Sequence, residues 1–82
     1  MITIMQGERF KLESAGNGAV YLLTDIGAGR DVFFQGDDAL QFESELEMAE
    51  HRFPDELIDY VLSWLWDQCD YGSVSQPIQR AS

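Results

Sequence analysis

The sequence predicts an α+β fold: a three-stranded antiparallel β-meander followed by two α-helices packed on one face, in the order βββαα. Two observations favour it. Up to residue 35, charged or polar residues alternate with apolar ones between glycine-rich turns, as in half-buried strands. From residue 38 onward, apolar residues recur at steps of three and four, which is the helical period. Because the strands come first and the helices afterwards, a parallel, alternating sheet is disfavoured.

The predicted strands cover residues 9–13, 19–25 and 31–35. Residues 2–5 alternate only weakly, and whether they begin a further strand is left open. The Gly-Ala-Gly at 27–29 resembles part of a phosphate-binding loop. However, no helix follows it directly, a third glycine is missing, and no lysine stands at the required spacing. We therefore interpret it as a hairpin turn.

The register of the first hairpin depends on the loop at Gly16-Asn17-Gly18. With a two-residue loop, one face of the hairpin gathers Phe10, Leu12, Tyr21 and Leu23. With a three-residue loop, the same face gathers Phe10, Leu12, Val20 and Leu22, because one residue of slip exchanges the two faces of a strand. We favour the two-residue loop, since Asn-Gly is the stronger signal for a tight hairpin.

The first helix is predicted at about residues 38–51, with Asp37 as its N-cap. One face carries Glu43, Glu47 and Glu50. Such like charges cost a few tenths of a kcal/mol per pair in an isolated helix. Packing or a cationic partner is therefore expected to hold this helix in place.

The second helix is predicted at about residues 54–70, because Pro54 suits a first helical turn and Gly72 suits a stop. Its apolar stripe consists of Leu57, Ile58, Val61, Leu62, Leu65 and Cys69. With Trp64 and Trp66 on its two edges, the apolar arc reaches about 200°. Since a surface helix needs little more than about 100°, this helix is either clamped between two layers or in contact with another chain.

The chain of 82 residues has a formal net charge of −10, and the charge is concentrated in one half. Residues 1–36 carry four acidic and three basic residues, whereas residues 37–70 carry eleven acidic residues against Arg52 alone. Direct nucleic-acid binding needs the opposite sign, and an anionic membrane surface is disfavoured for the same reason.

We expect one compact α+β domain over residues 1–72 and a flexible C-terminal tail over 73–82, which has no periodicity and contains Pro77. The lone cysteine, Cys69, excludes an internal disulfide and fits a reduced, cytoplasmic setting. His51, the only histidine, suits a helix C-terminus better than catalysis. No catalytic, metal-binding or cofactor-binding constellation emerges, so we expect neither an enzyme nor a cofactor.

Protein interaction remains as the functional hypothesis. The first version is an acidic module that binds a basic partner, with inhibition of a nucleic-acid-binding protein by charge mimicry, as in small phage counter-defence proteins, as its sharpest form. A solvated face that only keeps the protein soluble is the plain alternative. The second version is a homodimer or assembly subunit that uses the two tryptophan edges. The candidate partner-binding residues are Glu43, Glu47, Glu50, Glu56, Asp59, Asp67, Asp70, Tyr60, Trp64 and Trp66.

Overall fold

The computed structural model describes residues 1–78, which form one antiparallel sheet and two helices. In chain order the elements are β1 (Ile2–Gln6), β2 (Phe10–Ala15), β3 (Val20–Asp25), β4 (Arg30–Gln35), α1 (Asp37–Arg52), α2 (Ile58–Gln68), a short 3-10 helix (Tyr71–Val74) and β5 (Gln76–Pro77). The spatial order of the strands is the same as their order in the chain. The α+β class with an antiparallel sheet is confirmed, but the described sheet has five strands rather than three.

Both additional strands lie at the edges of the sheet. β1 pairs with β2 through a register shift between Thr3 and Met5. Most β1 side chains are exposed, including Ile2 at 73%. An edge strand that buries so little needs no strict alternation, so its signal in the sequence is weak.

Part of the segment that we assigned to a flexible tail packs against the sheet. β5 pairs with Arg30 and Asp31 of β4. The Arg30 guanidinium also donates hydrogen bonds to the hydroxyl and the carbonyl of Ser75, at 2.8 and 2.5 Å. The remainder of the predicted tail, residues 79–82, lies outside the described residues.

The first hairpin has the register that the two-residue loop predicted. Leu12 lies opposite Leu23, and Ser14 lies opposite Tyr21. The Ala19 amide donates to the Gly16 carbonyl at 3.2 Å. Between them, Asn17 and Gly18 have φ values of 56° and 89°, the positive values that a type I′ turn requires. The buried set is accordingly Phe10, Leu12, Tyr21 and Leu23.

The core lies between one face of the sheet and the two helices. From α1, Phe42 is fully buried and stacks on Phe34 of β4, with 4.4 Å between ring centroids. From α2, Leu62 and Leu65 are fully buried. A full burial of this kind stabilises by about 1.5–3 kcal/mol per side chain, so these contacts hold the helices on the sheet.

The first helix begins one residue earlier than its predicted start. Gly36, with φ = 59°, occupies the N-cap position, and Asp37 lies in the first turn instead of capping the helix. A positive φ favours glycine over aspartate at this position. The carboxylates of Asp37 and Asp38 then complement the positive end of the helix dipole.

The second helix begins four residues later than predicted, at Ile58. The Glu56 amide donates to the Phe53 carbonyl at 3.3 Å, which makes Pro54 the second residue of a β-turn, a position that its fixed φ also fits. Leu57 precedes the helix and is 78% exposed, so its assignment to the buried stripe was wrong. Among residues 1–78, neither helix is long and apolar enough to cross a membrane.

Gly72, the predicted stop of the second helix, has a different role in the structure. The helix ends at Gln68 rather than at residue 70. Gly72 lies beyond it, in the 3-10 helix, and a Cβ placed there would lie 2.5 Å from Nε1 of Trp66. This glycine therefore allows the tryptophan to pack, which is a different role from the helix stop that we predicted.

Candidate interaction surface

The two halves of the chain differ in how their charges are compensated. Two salt bridges occur in the described residues, Arg9–Asp25 at 3.0 Å and Lys11–Glu13 at 3.3 Å, and both lie in the strand half. Within the described part of the chain, no carboxylate of residues 37–70 takes part in a salt bridge. The negative field of the helical half is therefore largely uncompensated.

Asp59 is an exception, because its carboxylate is a structural acceptor. It receives hydrogen bonds from the backbone amides of Glu8, Arg9 and Phe10, at 2.9, 3.1 and 3.0 Å. These bonds, that from Phe10 most of all, lower the pKa of Asp59 against the opposing effect of burial. Asp59 thus joins the start of α2 to the turn between β1 and β2, and it is not a free surface charge.

Asp67 lies near the same end of β2 as Asp59. The Arg9 guanidinium there has a raised pKa, chiefly because of its hydrogen bond to Asp25, while burial opposes the shift. The charges of Asp67 and Asp59 raise the pKa of Arg9 further. The acidic side of α2 is therefore next to a cation of the strand half.

Glu43 and Glu47 lie at the other end of β2, beside Tyr21. Burial raises the pKa of the Tyr21 phenol, and the charges of these two glutamates raise it further. Because Tyr21 pairs with Ser14, this position is four residues along β2 from Phe10, or roughly 14 Å at about 3.4 Å per residue. We call Glu43 and Glu47 the hairpin-end acids, and Asp59 and Asp67 the Arg9-end acids.

The candidate carboxylates therefore occupy two regions that are separated along β2. Glu50, Glu56 and Asp70 are exposed, and no described hydrogen bond or salt bridge joins their side chains to either region. Asp70 has a left-handed backbone, with φ = 62°, between α2 and the 3-10 helix. Of the predicted acidic residues, Glu47, Asp67 and these three have side chains free of hydrogen bonds in the described residues, whereas Glu43 contributes to the raised pKa of Tyr21 through a hydrogen bond as well as through its charge.

Glu45, which we did not single out from the sequence, links α1 to the C-terminal segment. It accepts hydrogen bonds from the Tyr71 hydroxyl and from Nε2 of Gln41. Burial tends to raise the pKa of Glu45, but these bonds and one from Cys69 outweigh it, and the pKa is lowered. Burial, and then Glu45, raises the pKa of the Cys69 thiol to about 11. The thiol therefore stays protonated at neutral pH and is a poor nucleophile.

The aromatic candidates separate into core and surface. Trp66 is 8% exposed and packs on Phe10, with 5.6 Å between ring centroids. Tyr60 is 47% exposed, and Trp64 is half-buried. Both pack edge-on against Phe53. The structure thus places Tyr60 and Trp64 together at the junction of the helices, but it removes Trp66 from the surface.

Among residues 1–78, no group of three or more histidine, cysteine, aspartate or glutamate side chains is arranged to hold a metal ion. Comparisons of the chain with protein-family models, curated proteins and solved structures find no match. Function is therefore inferred from the described surface.

Proposed function

We propose that the protein is a non-catalytic interaction module that binds a basic protein through its acidic helical half. In the sharpest version, the partner is a nucleic-acid-binding protein, and the module occupies its nucleic-acid site. The observation that carries the proposal is the uncompensated charge of residues 37–70: eleven acidic residues against Arg52, with no salt bridge among the described residues.

A surface of this sign accelerates association with a basic partner, because its field attracts cations over several ångströms. The spacing of the carboxylates along α1 partly resembles the spacing of phosphates along a DNA strand. Glu43, Glu47 and Glu50 place three carboxylates within roughly 10 Å along the helix axis, whereas one DNA strand carries a charge about every 3.4 Å. Because the carboxylate row is less dense, we expect apolar contacts to contribute to the affinity.

Capture from the lysate of the source organism tests this proposal. The immobilised full chain is mixed with nuclease-treated lysate at about 0.1 M and about 1 M salt, between which the Debye length falls from about 10 Å to about 3 Å. We expect a basic, nucleic-acid-binding protein that is retained at low salt, released at high salt, and displaced by its own nucleic acid. Retention that is insensitive to salt, or the absence of a basic protein from the captured fraction, would contradict the proposal.

A homodimer is the second candidate. It is favoured by the exposed aromatic and aliphatic groups at the helix junction, Leu57 at 78% and Tyr60 at 47%, beside the half-buried Trp64. Aromatic residues are enriched in interface hot spots. Light scattering across micromolar concentrations tests it: a dimer that Trp64→Ala weakens and that ignores salt supports self-association, and a monomer throughout contradicts it.

A further inference from the structure

The outer edge of β4 is only partly covered. β3 pairs with β4 along its whole length, from Val20 opposite Gln35 to Asp25 opposite Arg30. On the other side, β5 pairs only with Arg30 and Asp31. In an antiparallel ladder, alternate residues direct their amide and carbonyl groups to opposite neighbours. Within residues 32–35, the groups directed away from β3 therefore have no strand partner in the described part of the chain.

A groove of about 470 Å³ follows this open edge. Such a volume lies within the range of about 300–1,000 Å³ that is typical of ligand sites. The groove is lined by Asp31, Val32, Phe33 and Phe34 of β4, Asp38 and Gln41 of α1, and Tyr71, Val74 and Gln76 of the C-terminal segment. Phe33 is 50% exposed and Val74 is 63% exposed. The site thus combines an open strand edge with apolar walls, which are the two requirements for adding a peptide strand.

The charges around the groove favour a cationic occupant. Asp31 lines it from the strand and Asp38 from the first turn of α1, and neither forms a salt bridge in the described residues. The guanidinium of the neighbouring Arg30 is occupied by Ser75. Arginine or lysine side chains of a bound strand would meet these carboxylates, and an arginine could also stack on an exposed aromatic ring.

Two other occupants are less favourable. In a second copy of this chain, residues 31–38 carry three aspartates and no basic residue, so a second β4 offers no cation to Asp31 and Asp38 and adds like charge instead. The 3-10 helix packs its Tyr71 ring against Phe34 instead of adding a strand, and β5 borders the groove only through Gln76. From Gln76 opposite Asp31, it runs to Pro77 opposite Arg30, which leads away from residues 32–35.

We propose that the open edge of β4 binds an extended basic segment of a partner protein as an additional strand. The strand would pair with the backbone of residues 32–35. Asp31 and Phe33 share the outer face of β4, so cationic side chains on that face of the strand would meet the Asp31 carboxylate and the Phe33 ring, while its apolar side chains would lie on the helix side, beside Tyr71. This inference rests on the proposed function, because it assigns the basic partner a specific mode of attachment.

Dye-labelled peptides of alternating arginine and valine test it, with peptides of alternating glutamate and valine as the control for charge. Two further arginine peptides carry N-methyl groups on every second amide, in one or the other phase. Strand pairing requires only the amides that face β4, so one methylated peptide should lose at least about tenfold in affinity while the other binds normally. In ¹⁵N-labelled protein, the largest amide shifts should fall on residues 32–35.

Substitutions in the protein give a second readout. We expect Asp31→Asn to weaken the arginine peptide about two- to fivefold, the range for exposed charge pairs, and Asp38→Asn, on the helix side of the strand, to weaken it less. Glu8→Gln, which removes an exposed carboxylate from the turn between β1 and β2, is the matched control and should change the affinity by less than about twofold. Equal binding of both methylated peptides, shifts confined to other residues, or equal effects of all three substitutions would overturn strand addition.

The two proposals fail in different ways. If the peptides do not bind at β4 but a basic protein is still captured in a salt-sensitive manner, strand addition is wrong and acidic docking stands. If the arginine peptide binds at β4 as described but no basic protein is captured, the edge accepts basic strands and the proposed function is wrong.

Discussion

The strand half and the helical half of this chain differ in whether their charged side chains have partners of opposite charge. In the nearly neutral strand half, Arg9 and Lys11 form salt bridges with carboxylates of the same half, and Arg30 donates to Ser75 of the C-terminal segment. The helical half has eleven acidic residues, and its only base, Arg52, lies over the ring of Phe53, 5.8 Å from the centroid. Apolar contacts therefore hold the helices on the sheet, whereas most of their charge contributes nothing favourable to the fold.

Two carboxylates of the helical half, Asp59 and Glu45, form hydrogen bonds to other parts of the fold. Asp59 accepts three backbone amides from the β1–β2 turn, and Glu45 accepts the Tyr71 hydroxyl. Residues with these contacts should affect stability when they are substituted. Substitution of carboxylates without such contacts should leave stability nearly unchanged and affect only binding.

The largest effect should come from Trp66→Ala. Because this side chain is 8% exposed and packs on Phe10, its removal should cost about 3–5 kcal/mol of the free energy of unfolding. Trp64→Ala, on the half-buried neighbour, is the control and should cost clearly less. Urea unfolding followed by circular dichroism measures both, and equal costs would mean that Trp66 is not a core residue.

A smaller loss of stability should distinguish two acidic residues of α2. Asp59→Ala should cost about 1 kcal/mol, the value for a lost capping carboxylate, and partial solvent access keeps it low. Asp67→Ala should change stability by less than about 0.5 kcal/mol, because Asp67 is exposed and has no hydrogen bond in the described residues. Urea unfolding compares them. A cost at position 67 as large as that at position 59 would contradict the distinction between structural and free carboxylates.

The cost of Asp59→Ala should depend on pH. The pKa of Asp59 is lowered in the folded protein from an ordinary value of 3.8, so the ionised form is the one that stabilises the fold. Its contribution is complete above the unfolded pKa and is lost as the pH falls through the lower, folded pKa. The difference in unfolding free energy between wild type and variant should therefore be constant near neutral pH and shrink below about pH 4. A difference that grows on acidification would have the wrong sign.

The smallest effect is expected at the hairpin-end acids. Glu43→Gln together with Glu47→Gln removes like charges from one helix face. Stability should stay within about 0.5 kcal/mol per site or rise slightly. Added salt should stabilise the double variant less than the wild type, because less repulsion is left to screen. Urea unfolding at low and high salt measures both quantities, and a large loss of stability would show that these glutamates support the fold.

The sequence predicted the elements whose signals are local. The hairpin register followed from Asn17-Gly18, because these two residue types readily adopt the positive φ values of a type I′ turn. The start of α2 was missed because Pro54 fits both a first helical turn and the second position of a β-turn. β5 consists of two residues, one of them a proline, and is too short to show a periodic pattern.

The candidate site was harder to read from the sequence for a related reason. On a helical wheel Asp59 resembles every other carboxylate of α2. Its role depends on amides about 50 residues earlier in the chain, at separations of 49 to 51 positions. The open edge of β4 likewise depends on where the chain turns after the 3-10 helix, which no periodicity indicates.

The role of the helical half is tested by measuring where a basic partner binds. The affinity of the captured partner is compared for wild type, for Glu43→Gln with Glu47→Gln, and for Glu8→Gln with Glu13→Gln, which removes the same number of acidic charges from the strand half. We predict that only the helical pair weakens binding, and that it also reduces the dependence of the affinity on salt. Equal weakening by both pairs, or by neither, would contradict the claim that the helical half is the interface.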